Sequence, residues 1–225
     1  MVSLRKSLGH TVILVGLLLL LGFIALNLVA YRHARAMMRF APGGERTPEV
    51  AQLSALQKVG VLFTGVTLPR PENHRTPAEL GLTYAVEKYP GARGTTLEAW
   101  RLDGRINSPR VLLFHGYGGS KESLLEVARE FHNWGYEVWL VDFHGSGGSS
   151  GSTTSVGYYE AEDVTASVAY AMQHFGSRKT VLFGTSMGAA AILRAVHLGV
   201  VKSTVFLDPK CCIAYATEAV TSSAS

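Results

Sequence analysis

The feature that most constrains the fold is a regular alternation, from Thr95 onward, of short apolar runs with longer amphipathic segments. Runs such as RVLLF, YEVWLVDF and KTVLFG are almost unbroken Val, Leu and Phe, which is typical of strands buried on both faces of a sheet. The segments between them carry apolar residues at helical spacing. This order predicts an α/β domain with a mostly parallel sheet and helices on both faces, whose last strand is VKSTVFLD.

The composition supports a packed core and argues against nucleic-acid binding. Apolar residues make up 47% of the 225 residues, and the formal net charge is only +4. No dense block of Lys or Arg offers a phosphate-binding surface. The two cysteines, Cys211 and Cys212, are adjacent, so they form neither a disulfide framework nor a metal site. We therefore expect no metal and no cofactor.

A separate apolar run, residues 11–31, is uncharged and long enough to cross a membrane, since about 20 helical residues span roughly 30 Å. A cleaved signal peptide is the alternative, because Arg5 and Lys6 would form its basic region. The run exceeds the ~7–15 apolar residues usual in signal peptides, which favours an uncleaved single-pass anchor. Basic residues flank both ends, so the side of the membrane that holds the rest of the chain stays open.

The sequence thus divides into three predicted parts. Residues 1–36 are the membrane anchor, and residues 95–225 are the α/β domain. Between them, residues 37–94 contain several Pro/Gly clusters typical of turns, and the segment PEVAQLSALQKVG predicts one short helix.

A serine between two glycines follows one of the predicted strands. In GTSMG, Ser186 comes directly after the apolar run TVLF and before a helix that opens with alanines. A sharp strand-to-helix turn exposes a serine hydroxyl above the sheet, and Gly184 and Gly188 leave room for the tight bend. The helix N-terminus directs N–H groups and its positive dipole end at the same place. Ser186 is therefore the candidate nucleophile.

A second Gly-x-Ser-x-Gly match, residues 147–151, lies inside the run GSGGSSG with no helix beginning beside it, so Ser149 is predicted to be a loop residue. The stretch HGYGGS, residues 115–120, instead ends a strand in a glycine-rich turn before a helix. In serine hydrolases such a turn supplies one oxyanion-hole amide, and the residue after the nucleophile supplies the other. These would be the backbone N–H groups of Tyr117 and Met187.

Taken in order and spacing, HGYGGS, VDFHGSGGSSG and GTSMG resemble the α/β-hydrolase superfamily, in particular its bacterial serine aminopeptidase-like branch, which includes membrane-anchored members. The resemblance covers about residues 95–207. It implies a hydrolase of ester, amide or peptide bonds that forms an acyl-enzyme on Ser186. The family usually has an arginine where this sequence has His144, and Glu160 and Asp163 in the following helix are expected to be structural.

The resemblance also implies a triad whose acid and histidine follow the serine in the chain. Asp208 stands where a few relatives place the acid, although beside Pro209 it is equally typical of a turn. The one later histidine, His197, lies three helical turns beyond Ser186. His115 belongs to the glycine-rich turn, while His144 lies on a loop at the same end of the sheet, from which an approach to Ser186 is open. The base is unassigned.

The tail PKCCIAYATEAVTSSAS has no strong strand pattern. We therefore expect a hydrolase domain truncated after its sixth strand, with that strand as an unpaired apolar edge available for self-association. Two hypotheses follow. The chain is either an active, membrane-tethered serine hydrolase or a catalytically inactive one, a fragment or an interaction module that uses the same cleft. A purely structural membrane protein would require both turns to be coincidences.

Overall fold

The computed structural model describes residues 2–41, 46–199, 202–204 and 213–218. Its helices are α1 (Val2–Met37), α2 (Ala55–Thr64), α3 (Leu125–Asn133), α4 (Glu160–Phe175) and α5 (Met187–His197). Its strands are β1 (Phe40–Ala41), β2 (Leu68–Pro69), β3 (Ala85–Pro90), β4 (Thr96–Leu102), β5 (Arg110–Phe114), β6 (Glu137–Asp142), β7 (Thr180–Gly184), β8 (Lys202–Thr204) and β9 (Ile213–Glu218). The chain forms two compact units, Met1–Met37 with Glu45–Leu68 and Met38–Gly44 with Pro69–Ser225.

The first unit consists mainly of α1 and α2. Within α1, His10–Met37 contains an 18-residue window with a mean hydropathy of 2.9 and has no buried residue, so the helix is long and apolar enough to cross a membrane. A signal sequence has the same properties, so the helix supports membrane association only in general terms. The helix predicted in PEVAQLSALQKVG is α2, which begins at Ala55 because Ser54 and Gln57 form a capping box there.

The second unit is built on a seven-stranded sheet in the order β3-β4-β6-β5-β7-β9-β8. The strands β6, β5 and β7 at its centre are parallel, as predicted. The flanking pairs are antiparallel, so the sheet is mixed rather than mostly parallel. One reason is the short connection from Pro90 to Thr96, which joins β3 to β4 as a hairpin and so requires antiparallel pairing.

The last two strands differ from the sequence prediction. The described part of the predicted sixth strand is β8, and it pairs with β9, which lies between β8 and β7 in the sheet. β9 falls in the tail where no strand was expected, and it lies antiparallel beside β7. Ile213, Tyr215 and Thr217 alternate along β9, and β-branched and aromatic residues favour strands, a pattern that the sequence analysis overlooked. β8 lies at the sheet edge, and self-association through that edge stays a prediction.

Side chains of the central strands alternate between two apolar clusters, one on each face of the sheet. Those that face α4 and α5 include Leu112, Phe114, Trp139 and Val141. Those that face α3 include Val111, Leu113, Val138 and Leu140. This alternation shows that both faces are covered by helices, which confirms the predicted α/β class.

Candidate active site

Ser186 lies on a tight bend between β7 and α5. Its φ of 50° and ψ of −112° are unusual for a residue with a side chain, and such strain clusters at functional sites. Two hydrogen bonds hold the bend: the Thr185 N–H donates to the Phe114 carbonyl at 3.2 Å, and the Gly188 N–H donates to the Thr185 carbonyl at 2.9 Å. The Ser186 side chain is exposed and makes no capping hydrogen bond to α5. The bend thus presents to solvent a hydroxyl that none of the described residues binds.

The two glycines that flank Ser186 are required by close backbone packing. A Cβ on Gly184 would lie 2.5 Å from the carbonyl carbon of Gly188. A Cβ on Gly188 would lie 2.3 Å from the carbonyl oxygen of Phe114, on the neighbouring strand β5. A side chain at either position would push α5 away from the sheet and disturb the bend at Ser186.

The glycine-rich turn after β5 lies directly beside this bend. A Cβ on Gly116 would be 3.6 Å from the Ser186 Cβ and 3.5 Å from the Thr185 carbonyl oxygen. Tyr117 is the next residue of the turn, and Met187 is the first residue of α5, where an α-helix leaves N–H groups without an intrahelical partner. The structure therefore brings the turn that contains Tyr117 close to Ser186, which Met187 follows directly in the chain. Donation by their N–H groups stays a prediction.

Ser149, in the second Gly-x-Ser-x-Gly match, has a different environment. Its hydroxyl is buried, donates to the Asp142 carbonyl at 2.7 Å and accepts from the Glu98 N–H at 2.9 Å. These two bonds tie the loop after β6 to β4. Ser149 is a structural loop residue, whereas the Ser186 hydroxyl is not used in this way.

Comparisons with known proteins agree with the α/β fold described above. A family model described as alpha/beta hydrolase fold matches residues 109–221, which is half of the chain. The chain belongs to the α/β-hydrolase fold family. The sequence resemblance is thereby confirmed at the level of this family, and membership supports a hydrolase in general.

Among solved structures, this α/β hydrolase is similar to the esterase Pf2001 of Pyrococcus furiosus. In the P21 crystal form the identity is 28%, the TM-score is 0.53, and the match covers 57% of this chain and 52% of that one. In the P212121 form the identity is 29%, the TM-score is 0.52, and the coverages are 57% and 50%. The chain spans about half the length of these esterase chains. No curated protein sequence matches it.

His115 of the hydrolase domain cannot act as a base in its present environment. The imidazole is fully buried, its Nδ1 donates to the Gly116 carbonyl at 2.8 Å, and its Nε2 accepts from the Phe143 N–H at 3.2 Å. Both ring nitrogens are therefore occupied, and this pairing places the proton on Nδ1. Burial lowers the pKa of His115, which keeps the ring neutral. Its role is to join the glycine-rich turn to the end of β6.

His144, for which an approach to Ser186 was left open, binds acids of α4 instead. Its Nδ1 lies 2.6 Å from Asp163 Oδ2, and its Nε2 lies 3.8 Å from Glu160 Oε1. Burial alone would lower the pKa of His144, but the hydrogen bond and charge of Asp163, helped by Glu160, outweigh it and raise the pKa. In this α/β hydrolase the imidazole is therefore held by α4, and the raised pKa favours its cationic form.

Glu160 itself organises the loop before α4. Its carboxylate accepts from the Thr154 hydroxyl at 2.7 Å and from the N–H groups of Ser155 and Gly157, each at 2.8 Å. Burial opposes the charge of Glu160, but the hydrogen bonds from Ser155 and Thr154 lower its pKa. The acid is fully occupied and structural.

A buried ionic cluster links the loops around the candidate site, and the sequence analysis missed it. Lys121 and Asp142 are both fully buried, and the Lys121 ammonium bonds Asp142 Oδ2 and, at 2.8 Å, Glu98 Oε1. Asp142 also accepts from the N–H of Lys121 at 2.7 Å and from that of Gly148 at 2.8 Å. One carboxylate therefore fixes both the turn after β5 and the loop after β6. The available signal was an aspartate ending an apolar strand, with a lysine just after the glycine-rich turn.

No base is in place for Ser186 among the residues that the structure describes. Neither His115 nor His144 is directed at it, and His197 lies at the far end of α5. Asp208, the candidate acid, lies outside the described residues. Over the same described ranges, no group of three His, Cys, Asp or Glu side chains is arranged to hold a metal ion.

Proposed function

We propose that this chain is a serine hydrolase that cleaves ester, amide or peptide bonds through an acyl-enzyme on Ser186. The observation that carries the proposal is the exposed Ser186 hydroxyl on a positive-φ bend at the start of α5, next to the Gly116 turn. Ester substrates are favoured because the similar solved structure is that of an esterase. The narrower likeness to serine aminopeptidase-like proteins is part of this proposal and rests on the sequence motifs alone.

In the proposed reaction, Ser186 Oγ attacks the carbonyl carbon of the substrate while its proton passes to a base. The negative charge that develops on the carbonyl oxygen is stabilised by the N–H groups of Tyr117 and Met187. The bond to the leaving alcohol or amine then breaks as that group regains the proton. Water hydrolyses the acyl-Ser186 ester by the reverse proton path and releases the acid product.

The catalytic base and acid are the open part of this mechanism. Asp208 is the proposed acid, and the described histidines are engaged elsewhere or distant, so none of them is proposed as the base. This observation favours a second candidate function, a catalytically inactive α/β-hydrolase domain that binds ligands or partners in the same cleft. Residues 11–31 are proposed to anchor either form in a membrane as a single-pass helix, with the side of the domain unassigned.

A fluorophosphonate probe distinguishes the two candidates, because it phosphonylates a serine only where the hydroxyl is activated. We expect the full chain in lipid nanodiscs to be labelled well above its heat-denatured control, and Ser186→Ala to abolish the labelling. Ser177→Ala, a change at an exposed serine in a loop, is the matched control and should leave labelling unchanged. A folded chain that labels no better than the denatured one would exclude the acyl-enzyme and support the inactive domain.

A further inference from the structure

The helix α2 presents an apolar face that nothing in the described structure covers. At about 100° per residue, Leu56, Val59, Leu62 and Phe63 fall within a sector roughly 120° wide. Their exposed fractions are 86%, 50%, 63% and 57%, and no residue of α2 is buried. A contiguous exposed apolar face of this kind indicates an interaction surface.

The exposure does not result from a poorly formed helix. Ser54 and Gln57 satisfy each other's backbone N–H groups at the start, and the Gly65 N–H donates to the Val61 carbonyl at 2.9 Å at the end. A helix of ten residues is nevertheless marginal in water by itself, because nucleation is costly and packing usually supplies the stability. An apolar environment against this face would provide that stability.

The position of α2 identifies the environment. The His33 ring lies with Nε2 2.7 Å from the Leu62 carbonyl oxygen, and a Cβ on Gly65 would lie 2.9 Å from the Ala36 Cβ. The end of α2 is therefore held against the last turns of α1, just beyond the uncharged run that finishes at Tyr31. If that run crosses a bilayer, these contacts hold α2 at the level of the lipid headgroups.

The charges around α2 match a lipid surface. The helix contains no acidic residue, and its one charged side chain, Lys58, lies at the border of the apolar face. Arg32 and Arg35 occupy the adjoining turns of α1. Basic residues beside an apolar face favour binding to a bilayer with anionic lipids.

We propose that α2 is a second membrane element, which lies in the bilayer interface with its apolar face toward the acyl chains. The occupant of this face is lipid rather than a second copy of the chain, because the face adjoins the exposed apolar surface of α1 and is bordered by cations. This inference rests on the proposed insertion of α1. Its consequence is that the first unit contacts the membrane along two elements, so that it cannot rotate about a single helix axis.

The test adds one tryptophan at a time to the full chain, which already contains three, and reconstitutes each variant in vesicles of phosphatidylcholine and phosphatidylglycerol. Phe63→Trp reports on α2 and Leu20→Trp on α1, and Ile106→Trp, in an exposed loop of the second unit, is the matched control. The emission of the parent chain is subtracted in each case. The quenchers are lipids brominated either near the headgroup end of the acyl chain or near its terminal methyl.

We expect the added emission of Phe63→Trp to fall roughly twofold with shallow bromines and less with deep ones, as for a helix ~5–10 Å into the interface. Leu20→Trp should show the opposite order, and Ile106→Trp should not be quenched. Quenching of Phe63→Trp no stronger than that of Ile106→Trp would overturn the inference even if Leu20→Trp is quenched. Unquenched Leu20→Trp would instead reject the anchor, and the inference about α2 would be rejected with it.

A second copy as the occupant gives a distinct result. In vesicles, a second copy would shift the emission of Phe63→Trp to the blue and make it insensitive to brominated lipid. In nanodiscs that hold one chain each, the same emission would shift back to the red. This combination would show that protein covers the face, and would overturn the proposal. Leu56→Trp, on the same face, repeats the measurement if Phe63→Trp does not reconstitute.

Discussion

Replacement of Lys121 by methionine tests the buried ionic cluster that fixes the loops around Ser186. Methionine has a similar length and keeps the apolar contacts of the side chain, but it removes the ammonium that binds Asp142 and Glu98. Asp142 would keep only its bonds from neutral groups, among them the Asn73 amide at 2.8 Å. The change therefore leaves a fully buried carboxylate without its cation.

The expected loss follows from this burial. Removal of one partner from a buried ion pair costs about 3–5 kcal/mol, out of a typical total stability of about 5–15 kcal/mol. At about 2–4 °C per kcal/mol for a domain of this size, the melting temperature should fall by roughly 6–20 °C. The matched control is Lys88→Met, since Lys88 lies 3.2 Å from the same Glu98 but is 62% exposed. An exposed ion pair contributes about 0–1 kcal/mol, so this variant should melt close to the parent.

The assay is thermal unfolding in nanodiscs, followed by the fluorescence of the three tryptophans, one of which, Trp100, has its ring 4.4 Å from the Lys121 ammonium. The pH dependence has a definite sign. Burial raises the pKa of Asp142, the charge of Lys121 and its hydrogen bonds act against burial, and the net effect lowers that pKa. The parent thus gains stability from this carboxylate above its ordinary pKa of about 3.9 and loses it only as the pH falls through the lowered value.

Without Lys121, the Asp142 pKa should rise and the carboxyl should protonate under mild acid, so the deficit of Lys121→Met should shrink from pH 7 to pH 4. Two results would refute the role assigned to this cluster. One is a difference between the melting temperatures of Lys121→Met and Lys88→Met that corresponds to less than about 1 kcal/mol, and the other is a loss of stability in Lys121→Met that does not depend on pH.

Two further predictions concern the bend and the loop beside it. Gly188→Ala should lower the free energy of unfolding by about 1–3 kcal/mol and abolish fluorophosphonate labelling, because the added Cβ overlaps the Phe114 carbonyl. The control is Gly60→Ala, since Gly60 has open space around it. Normal labelling of Gly188→Ala would contradict the packing argument. His144→Gln should lower the melting temperature most below about pH 6.5, where the imidazolium paired with Asp163 is fully formed. This difference should shrink as the pH rises through the raised pKa of His144, and a difference constant from pH 5.5 to 9 would show that charge is not involved.

The sequence predicts the parts of this fold that depend on local pattern. The strands β5, β6 and β7 follow from unbroken apolar runs, and the bend at Ser186 follows from two glycines at a strand-to-helix junction. The pairing of β9 with β7 is different in kind, because it joins segments about 30 residues apart and depends on competition between strands for one edge.

The charged contacts were also beyond local pattern. A lysine such as Lys121 is almost always exposed, and nothing in its sequence neighbourhood shows that Asp142, 21 residues later, is buried against it. Likewise, the pairing of His144 with Asp163 becomes visible only when α4 packs over the loop. Sequence reasoning singled out His144 and Asp163 but not Lys121, and the partners of all three depend on three-dimensional packing.

The locked imidazole of His115 has a consequence for kinetics. The ring donates a hydrogen bond to one carbonyl and accepts one from a backbone amide, so it keeps the same charge throughout the neutral range. The electrostatic field that this ring exerts at the neighbouring serine is therefore constant with pH. An inflection in the rate of phosphonylation near neutrality that persists in His144→Gln would therefore report the ionisation of the group that activates Ser186, and its midpoint would help to identify that group.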